Sequence, residues 1–243
     1  MKISVVVPLF NEERCIQAFW QRLRAAINRI PFDFEVIFID DASQDQTWRG
    51  ICQIHKQDSR VKGIRLGLHG GHQVAFFAGL RQASGHAVIM MDGDLQHPPE
   101  KIPTLIQEWK KGVDLVYGFK TSQAGRGFLK KYLNQLFHWL LSIRSGVFFH
   151  PETSDFQILD RKLVEKILAT WQPSTFLRGW IHRQATGREK IPFDAARRYG
   201  GKSRQSPIKL TGLGIQTLLC PTPSQSSKLS SFYQIQETVG CSQ

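Results

Sequence analysis

Along the first half of the chain, short runs that are apolar at nearly every position alternate with longer stretches in which apolar residues recur every three or four positions. The runs lie near 3–7, 35–39, 61–66, 87–91 and 114–118, and the periodic stretches near 12–29, 45–57, 72–83, 98–111 and 128–143. The first pattern predicts strands and the second helices. Val5-Val6-Val7 and Val36-Ile37-Phe38-Ile39 offer no polar face, as a strand covered on both sides requires. The predicted fold is α/β, a mostly parallel, doubly wound sheet with flanking helices, and such sheets take ligands at the carboxyl ends of their strands.

Past residue 120 the rhythm thins to a strand near 156–159, helices near 161–170 and 174–184, and a loop rich in arginine and glycine at 194–206. Serine, glutamine and threonine dominate residues 221–243, so disorder is expected there. The pattern predicts one folded domain over 1–211 and a divergent, disordered tail over 212–243, with no internal repeats.

With 41% apolar residues in 243, the chain can bury a full core, which excludes a disordered or fibrous class. Its formal charge of +12 is unevenly spread: residues 1–120 carry 15 basic and 13 acidic groups, the remainder 17 and 7. The second half therefore calls for an anionic partner, and nucleic acid, phosphorylated metabolites and an anionic membrane face all fit. Cys15, Cys52, Cys220 and Cys241 have no metal-ligand spacing, which fits a reducing compartment. The N-terminus leads straight into a strand and is expected to be unsecreted. The most apolar stretch, Leu133 to Phe149, is interrupted by His138 and Arg144, so no transmembrane helix is expected.

Candidate chemistry collects after the strand-like runs. The run at 87–91 leads into Met91-Asp92-Gly93-Asp94-Leu95-Gln96-His97-Pro98, and at a strand's two-residue period Asp92, Asp94 and Gln96 project to one side. Three oxygen donors suit a hard divalent cation shared with a diphosphate, although a D-x-D triplet arises by chance about half a time in such a chain. The second run ends in Asp40-Asp41-Ala42-Ser43, where Asp41 or Ser43 could equally cap a helix beginning near Asp45. The first ends in Pro8-Leu9-Phe10-Asn11-Glu12-Glu13, with an aromatic face suited to a base and an acidic pair on a helix's first turn.

In this order and spacing, VVVPLFNEE, FIDDASQD, GGHQVAFFAGL and MMDGDLQHPPE resemble a family 2 glycosyltransferase of the GT-A fold. With Thr153-Ser-Asp-Phe156 and Phe176-Leu-Arg-Gly179 they are similar to its polyprenyl-phosphate branch, over residues 1 to about 210. The resemblance implies an inverting transfer of a sugar, glucose being expected, from a nucleotide-diphosphate sugar, UDP being favoured, to a polyprenyl phosphate at a membrane surface. It places Pro8, Phe10, Glu12, Asp40, Asp41 and Asp92 around the nucleotide. Asp92, Asp94 and Gln96 are implied to hold Mg2+ or Mn2+, and Asp92, Asp94 and Asp155 to be catalytic. Asp155 is equally readable as a solvated strand residue. Lys120, Arg198, Lys202, Ser203 and Arg204 are implied to bind acceptor or donor phosphate, Lys120 standing where the branch more often has arginine. The branch also implies a peripheral position on the cytoplasmic membrane face and a dimer or tetramer, with no nucleic-acid partner.

Three readings stand beside this one: a soluble or polysaccharide acceptor, a truncated and inactive relative, and a basic nucleic-acid or anion binder. The branch commonly continues into transmembrane helices, whereas the resemblance here fades near 210. Helix 128–143, apolar with Lys130 and Lys131 on its edge, reads either as lying near a membrane or as packed on the domain. Ala196 to Ser203 fits a relaxed phosphate-loop pattern, but no buried strand is expected before it and arginines stand where backbone amides should wrap phosphate.

Overall fold

The computed structural model describes residues 1–121, 153–173, 175–194 and 233–240. Eight strands form one sheet: β1 (Lys2–Leu9), β2 (Asp33–Asp40), β3 (Val61–Leu66), β4 (Ala87–Met90), β5 (Leu115–Lys120), β6 (Thr153–Asp160), β7 (Arg188–Phe193) and β8 (Ile235–Val239). Their spatial order is β7-β5-β6-β4-β1-β2-β3-β8. The central strands β3, β2, β1 and β4 are parallel, as their unbroken apolarity predicts. The flanks are mixed: β6 runs antiparallel to both β4 and β5, β7 is parallel to β5, and β8 is antiparallel to β3.

Among the described residues, six helices cover the sheet: α1 (Ile16–Ile27), α2 (Thr47–Gln57), α3 (His72–Gln82), α4 (Ile102–Trp109, preceded by a 3-10 turn at Pro99–Lys101), α5 (Arg161–Thr170) and α6 (Leu177–Gln184). Along α1 the buried residues Ile16, Phe19, Trp20, Leu23 and Ile27 recur at the three- and four-residue spacing of one helix face. They pack with α2 and α4 against Ile3, Val5, Val7, Val36 and Phe38. Val6, Ile37, Ile39 and Val88 point the other way, under α3, α5 and α6. This two-sided burial is why the central strands carry no polar face. Helix α3 lies so close to the sheet that a Cβ on Gly79 would stand 2.2 Å from Val6 Cγ1.

Two elements depart from the sequence expectation. Residues 188–193, for which the sequence pattern predicts no element, form edge strand β7, which buries Ile191 and Phe193 and tolerates Pro192 because it lies at the sheet margin. The Arg/Gly loop thus does follow a strand, an edge strand rather than a buried one. Residues 235–239, inside the stretch predicted to be disordered, form β8, held on β3 by backbone pairing and by Glu237, which accepts from Trp48 Nε1 at 2.6 Å and faces Arg65 Nη1 at 3.5 Å. Its side chains are almost all exposed, so hydropathy carries no signal of it. The predicted helix 128–143, Arg198, Lys202, Ser203, Arg204, Cys220 and Cys241 lie outside the described residues. Among the described residues, no helix is long and apolar enough to cross a membrane.

At the amino ends of the strands, remote from the ligand edge, the buried Glu35 carboxylate joins three segments. It accepts from Ser4 Oγ (2.6 Å), the Ser84 amide (2.7 Å) and Ser84 Oγ (2.8 Å), and it faces Lys2 and Lys62, each at 2.9 Å. Burial raises its pKa, but these donors outweigh it and hold Glu35 well below the usual carboxylate range. A depressed folded-state pKa stabilises the fold above the unfolded value of 4.5, and that contribution is lost as pH falls below it. Glu35→Gln should therefore cost about 1–3 kcal/mol at pH 7, with the gap to wild type narrowing below pH 4.5, as urea midpoints across pH 7 to 3 will show.

Candidate active site

The loops that follow β1, β2 and β4 each turn through the left-handed region on a non-glycine residue: Asn11 (φ 54°), Ala42 (φ 58°) and Leu95 (φ 66°). Strain at three adjoining strand ends is a feature of functional edges. The first two loops are laced together. The Asn11 amide donates to Ser43 Oγ (2.9 Å), Asn11 Oδ1 accepts from the Gln44 amide (2.8 Å), and the Glu12 amide donates to Thr47 Oγ1 (2.8 Å). The helix start at α2 is satisfied by Asp45 and Glu13, which accept from the amides of Thr47 and Gln46. Asp41 is therefore not spent on capping.

Asp41 is buried, and its carboxylate accepts from the amides of Gly70 (2.8 Å) and Gly71 (2.9 Å) in the loop after β3. His69 Nδ1 stands 2.8 Å from Asp41 Oδ2, and the His69 ring stacks on Phe10 with centroids 4.1 Å apart and planes 20° apart. Phe10 and Asp41, predicted from separate strand ends, thus meet in one slot. Asp40 has a different place: it is fully buried, accepts from the Ser43 amide (3.2 Å) and lies 3.3 Å from Arg65 Nε, so it supports the loop. Burial, offset only in part by Ser43 and Arg65, raises its pKa.

The second half of the site is electrostatic. In the antiparallel β4–β6 pairing Ala87 faces Asp160 and Met90 faces Gln157, which brings the loop after β4 beside the start of β6, so that Asp92 and Asp155 come together. His72, the first residue of α3, directs Nε2 to within 3.0 Å of Asp92 Oδ1 and 3.5 Å of Asp155 Oδ2. Arg178 of α6 grips Asp155 from the other side with two parallel bonds, Nε to Oδ1 at 2.7 Å and Nη2 to Oδ2. Gln73 Oε1 accepts from the Leu177 amide, tying α3 to α6 and so fixing both cations. Burial disfavours the charge on His72, but Asp92 and Asp155 more than offset it and lift its pKa to about 10. Burial also opposes charge on Asp155, and Arg178 with His72 outweighs it and holds that carboxyl well below its usual range. At neutral pH two carboxylates thus face two cations.

Beneath Asp92 lies His97, whose Nδ1 accepts from the Asp92 amide at 2.9 Å while its ring packs on Phe156 and Phe193. Burial pushes its pKa down, consistent with the neutral ring that this bond requires. Strand β4 ends at Met90, so the expected strand alternation does not reach Asp92, Asp94 and Gln96. The loop bends instead, with Asp94 Oδ1 accepting from the Gln96 amide at 3.0 Å. Among the described residues, the donor atoms that converge are those of His72, Asp92 and Asp155, all within 4.8 Å of one another. Asp92 Oδ1 is shielded from solvent and faces the His72 imidazolium at 3.0 Å, and Asp94 stands two residues on in the same loop.

Of the predicted residues, Phe10 and Asp41 share one slot and Asp92 and Asp155 share one cluster. Glu12 and Pro8 lie on the β1 end and serve it through backbone position, while Lys120 closes β5. Sequence reasoning does not assign His72, Arg178, Gln73, His97 or His69 a role. The first four lie in quoted motif segments, yet only the β4–β6 register and the approach of α6 to α3 show what they touch.

Residues 4–168 match the sequence profile of Glycosyl transferase family 2. The bactoprenol glucosyl transferase of Shigella phage SfV is 34% identical over 219 residues, which cover 89% of this chain and 70% of that protein. The undecaprenyl-phosphate 4-deoxy-4-formamido-L-arabinose transferase of Pseudomonas fluorescens is 28% identical over 230 residues, covering 94% and 67%. The chain spans about two thirds of the length of the curated relatives it matches. Among solved structures, glucosyl-3-phosphoglycerate synthase from Mycobacterium tuberculosis, in complex with Mn2+ and UDP-glucose, superposes with a TM-score of 0.61 at 19% identity, covering 90% of this chain and 78% of that one. That likeness concerns the fold.

Removing Arg178 leaves the Asp155 carboxylate, only 13% exposed, without its main partner. Arg178→Ala should lower stability by about 2–4 kcal/mol, whereas adding Asp155→Asn should restore part of it, a coupling that a double-mutant cycle of urea midpoints measures.

Proposed function

The chain belongs to glycosyl transferase family 2 and has the GT-A fold, and on that premise we propose that it transfers a sugar from a nucleotide-diphosphate donor to the phosphate of a polyprenyl lipid, with inversion. The observation that carries this reading is the pairing of an aromatic-and-acid slot, Phe10 with Asp41, with the Asp92–Asp155 cluster at one sheet edge. The slot suits a flat base that donates an N–H to Asp41, and uracil is such a base. Pro8 and Glu12 frame it on the β1 side, and Asp40 supports it from beneath.

Asp92, Asp94 and Gln96 would hold Mg2+ or Mn2+, whose positive charge stabilises the diphosphate leaving group. The residues fit it: the loop after β4 carries two carboxylates, Asp92 and Asp94, and the side-chain amide of Gln96, an all-oxygen donor set. His72 keeps the two carboxylates together. In the transfer, an oxygen of the acceptor phosphate attacks the anomeric carbon as its bond to the donor's diphosphate breaks, and the nucleoside diphosphate leaves with the electron pair. A phosphate with a second pKa near ~6 is already ionised at neutral pH and asks for no strong base. Asp155 agrees with such an acceptor, because Arg178 and His72 occupy its carboxylate and leave it poorly suited to take a proton from a hydroxyl. Its part is to fix His72 and Arg178 around the reacting phosphate.

The lipid acceptor and the glucosyl group are supported by the bactoprenol glucosyl transferases among the relatives, and the acceptor phosphate by the charge of the second half of the chain. Lys120, Arg198, Lys202, Ser203 and Arg204 are its proposed contacts, the last four outside the described residues. A peripheral seat on the cytoplasmic face of a membrane, a catalytic domain over residues 1–211 to which β8 adds an edge strand, and a dimer or tetramer belong to the same proposal.

Calorimetric titration of UDP and GDP, with Mn2+ and again with chelator, tests the donor site. Metal-dependent binding of UDP is expected, and a chelator-insensitive isotherm would remove the metal from the scheme. Asp94→Asn should reduce transfer at least about 100-fold with an unchanged melting temperature, since it removes a ligand charge from a loop and no core contact. Lys202→Ala and Arg204→Ala should raise the KM for lipid acceptor more than that for donor.

A further inference from the structure

His69 sits where a donor's base would sit. Its imidazole is a flat ring stacked on Phe10 at 4.1 Å and 20°, and its Nδ1 is 2.8 Å from Asp41 Oδ2 and 3.4 Å from the Asp41 carbonyl oxygen. A base held by this slot needs the same two contacts, one ring face on Phe10 and one N–H on Asp41. We propose that His69 is a resident stand-in for the base, which the nucleotide must displace, so that this residue sets the protein's affinity for its donor. The inference rests on the reading of Phe10 and Asp41 as the nucleoside slot.

The local chain is built for such an exchange. His69 belongs to the segment Gly67-Leu68-His69-Gly70-Gly71 between β3 and α3, its side chain is 54% exposed, and Leu68 beside it is 76% exposed, so nothing buried has to move when the ring turns out. Asp41 does not depend on the imidazole for its position: the amides of Gly70 and Gly71 hold both its oxygens whichever way His69 points. Displacement therefore costs one stacking contact and the polar contact of Nδ1 with Asp41, and leaves the acceptor oxygen already aimed. Gly71, with φ 85° and open space where a Cβ would be, separates the loop from α3, so the turn of His69 need not disturb His72.

When the binding-competent state is a fraction of the population, apparent affinity falls by that fraction. Removing the stand-in raises it. His69→Ala should bind UDP about five- to twenty-fold more tightly than wild type in calorimetry with Mn2+, and His69→Phe, which keeps the stack but lacks the N–H, should fall between the two. Asp41→Asn and Phe10→Ala, measured alongside, report on the slot itself and should weaken UDP strongly. If they do and His69→Ala is unchanged or weaker, His69 is not a stand-in, and a weaker result makes it part of the base's grip. If Asp41→Asn and Phe10→Ala bind UDP as wild type does, the nucleoside slot is misplaced and the inference falls with it. Binding by His69→Ala where wild type shows none is the strongest form of the expected result. A second readout needs no variant: the ring protons of His69, shifted by the Phe10 ring in the free protein, should lose that shift on saturation with UDP. Retention of the shift at saturation would overturn the proposal.

Discussion

Asp92 and Asp155 repel each other, yet the candidate active site requires them side by side. What makes this tenable is a pair of fixed cations, His72 between them and Arg178 behind Asp155. At such distances in a partly dehydrated edge, unbalanced carboxylates would take up a proton or splay apart. The surrounding structure can be read as what it takes to hold those cations: α3 pressed on the sheet through Gly79, α6 tied to α3 through Gln73, and the bend after β4 braced by a neutral His97 wedged against Phe156 and Phe193.

The same arrangement decides what chemistry the edge suits. A carboxylate engaged by an arginine and an imidazolium is a weak base and a firm anchor, so an acceptor that arrives already anionic fits better than a hydroxyl that must be deprotonated. The adjoining slot is of another kind. Phe10 and Asp41 are positioned by backbone amides and interlocked turns rather than by countercharge, which leaves one aromatic face and one acceptor oxygen for a ring. The proposed nucleotide-sugar donor has both needs, a base to be recognised and a diphosphate to be balanced.

The two ends of the sheet divide their labour. At the amino end, Glu35 collects five donor groups from four residues and serves stability, whereas at the carboxyl end three loops carry left-handed residues. Strain thus concentrates at the candidate site, and the stabilising network lies away from it.

The sequence by itself determined the parallel core, because a strand covered on both faces can be recognised from its own unbroken apolarity, and it pointed to the strand ends where Phe10, Asp41, Asp92 and Asp155 lie. It could not reveal β8, whose exposed side chains carry no hydrophobic signal, or β7, whose alternation is short and holds a proline. Nor could it show that Asp92 continues into a bend rather than a strand, or that its carboxylate meets His72 and Asp155 there. The pairing of Asp92 with Asp155, 63 residues apart, depends on an antiparallel register between β4 and β6. The stacking of His69 on Phe10 depends on the path of a loop between other elements. Periodicity reports whether a residue faces a core, a local property, whereas the partner it meets is fixed by the packing of distant segments, and only the tertiary structure decides that.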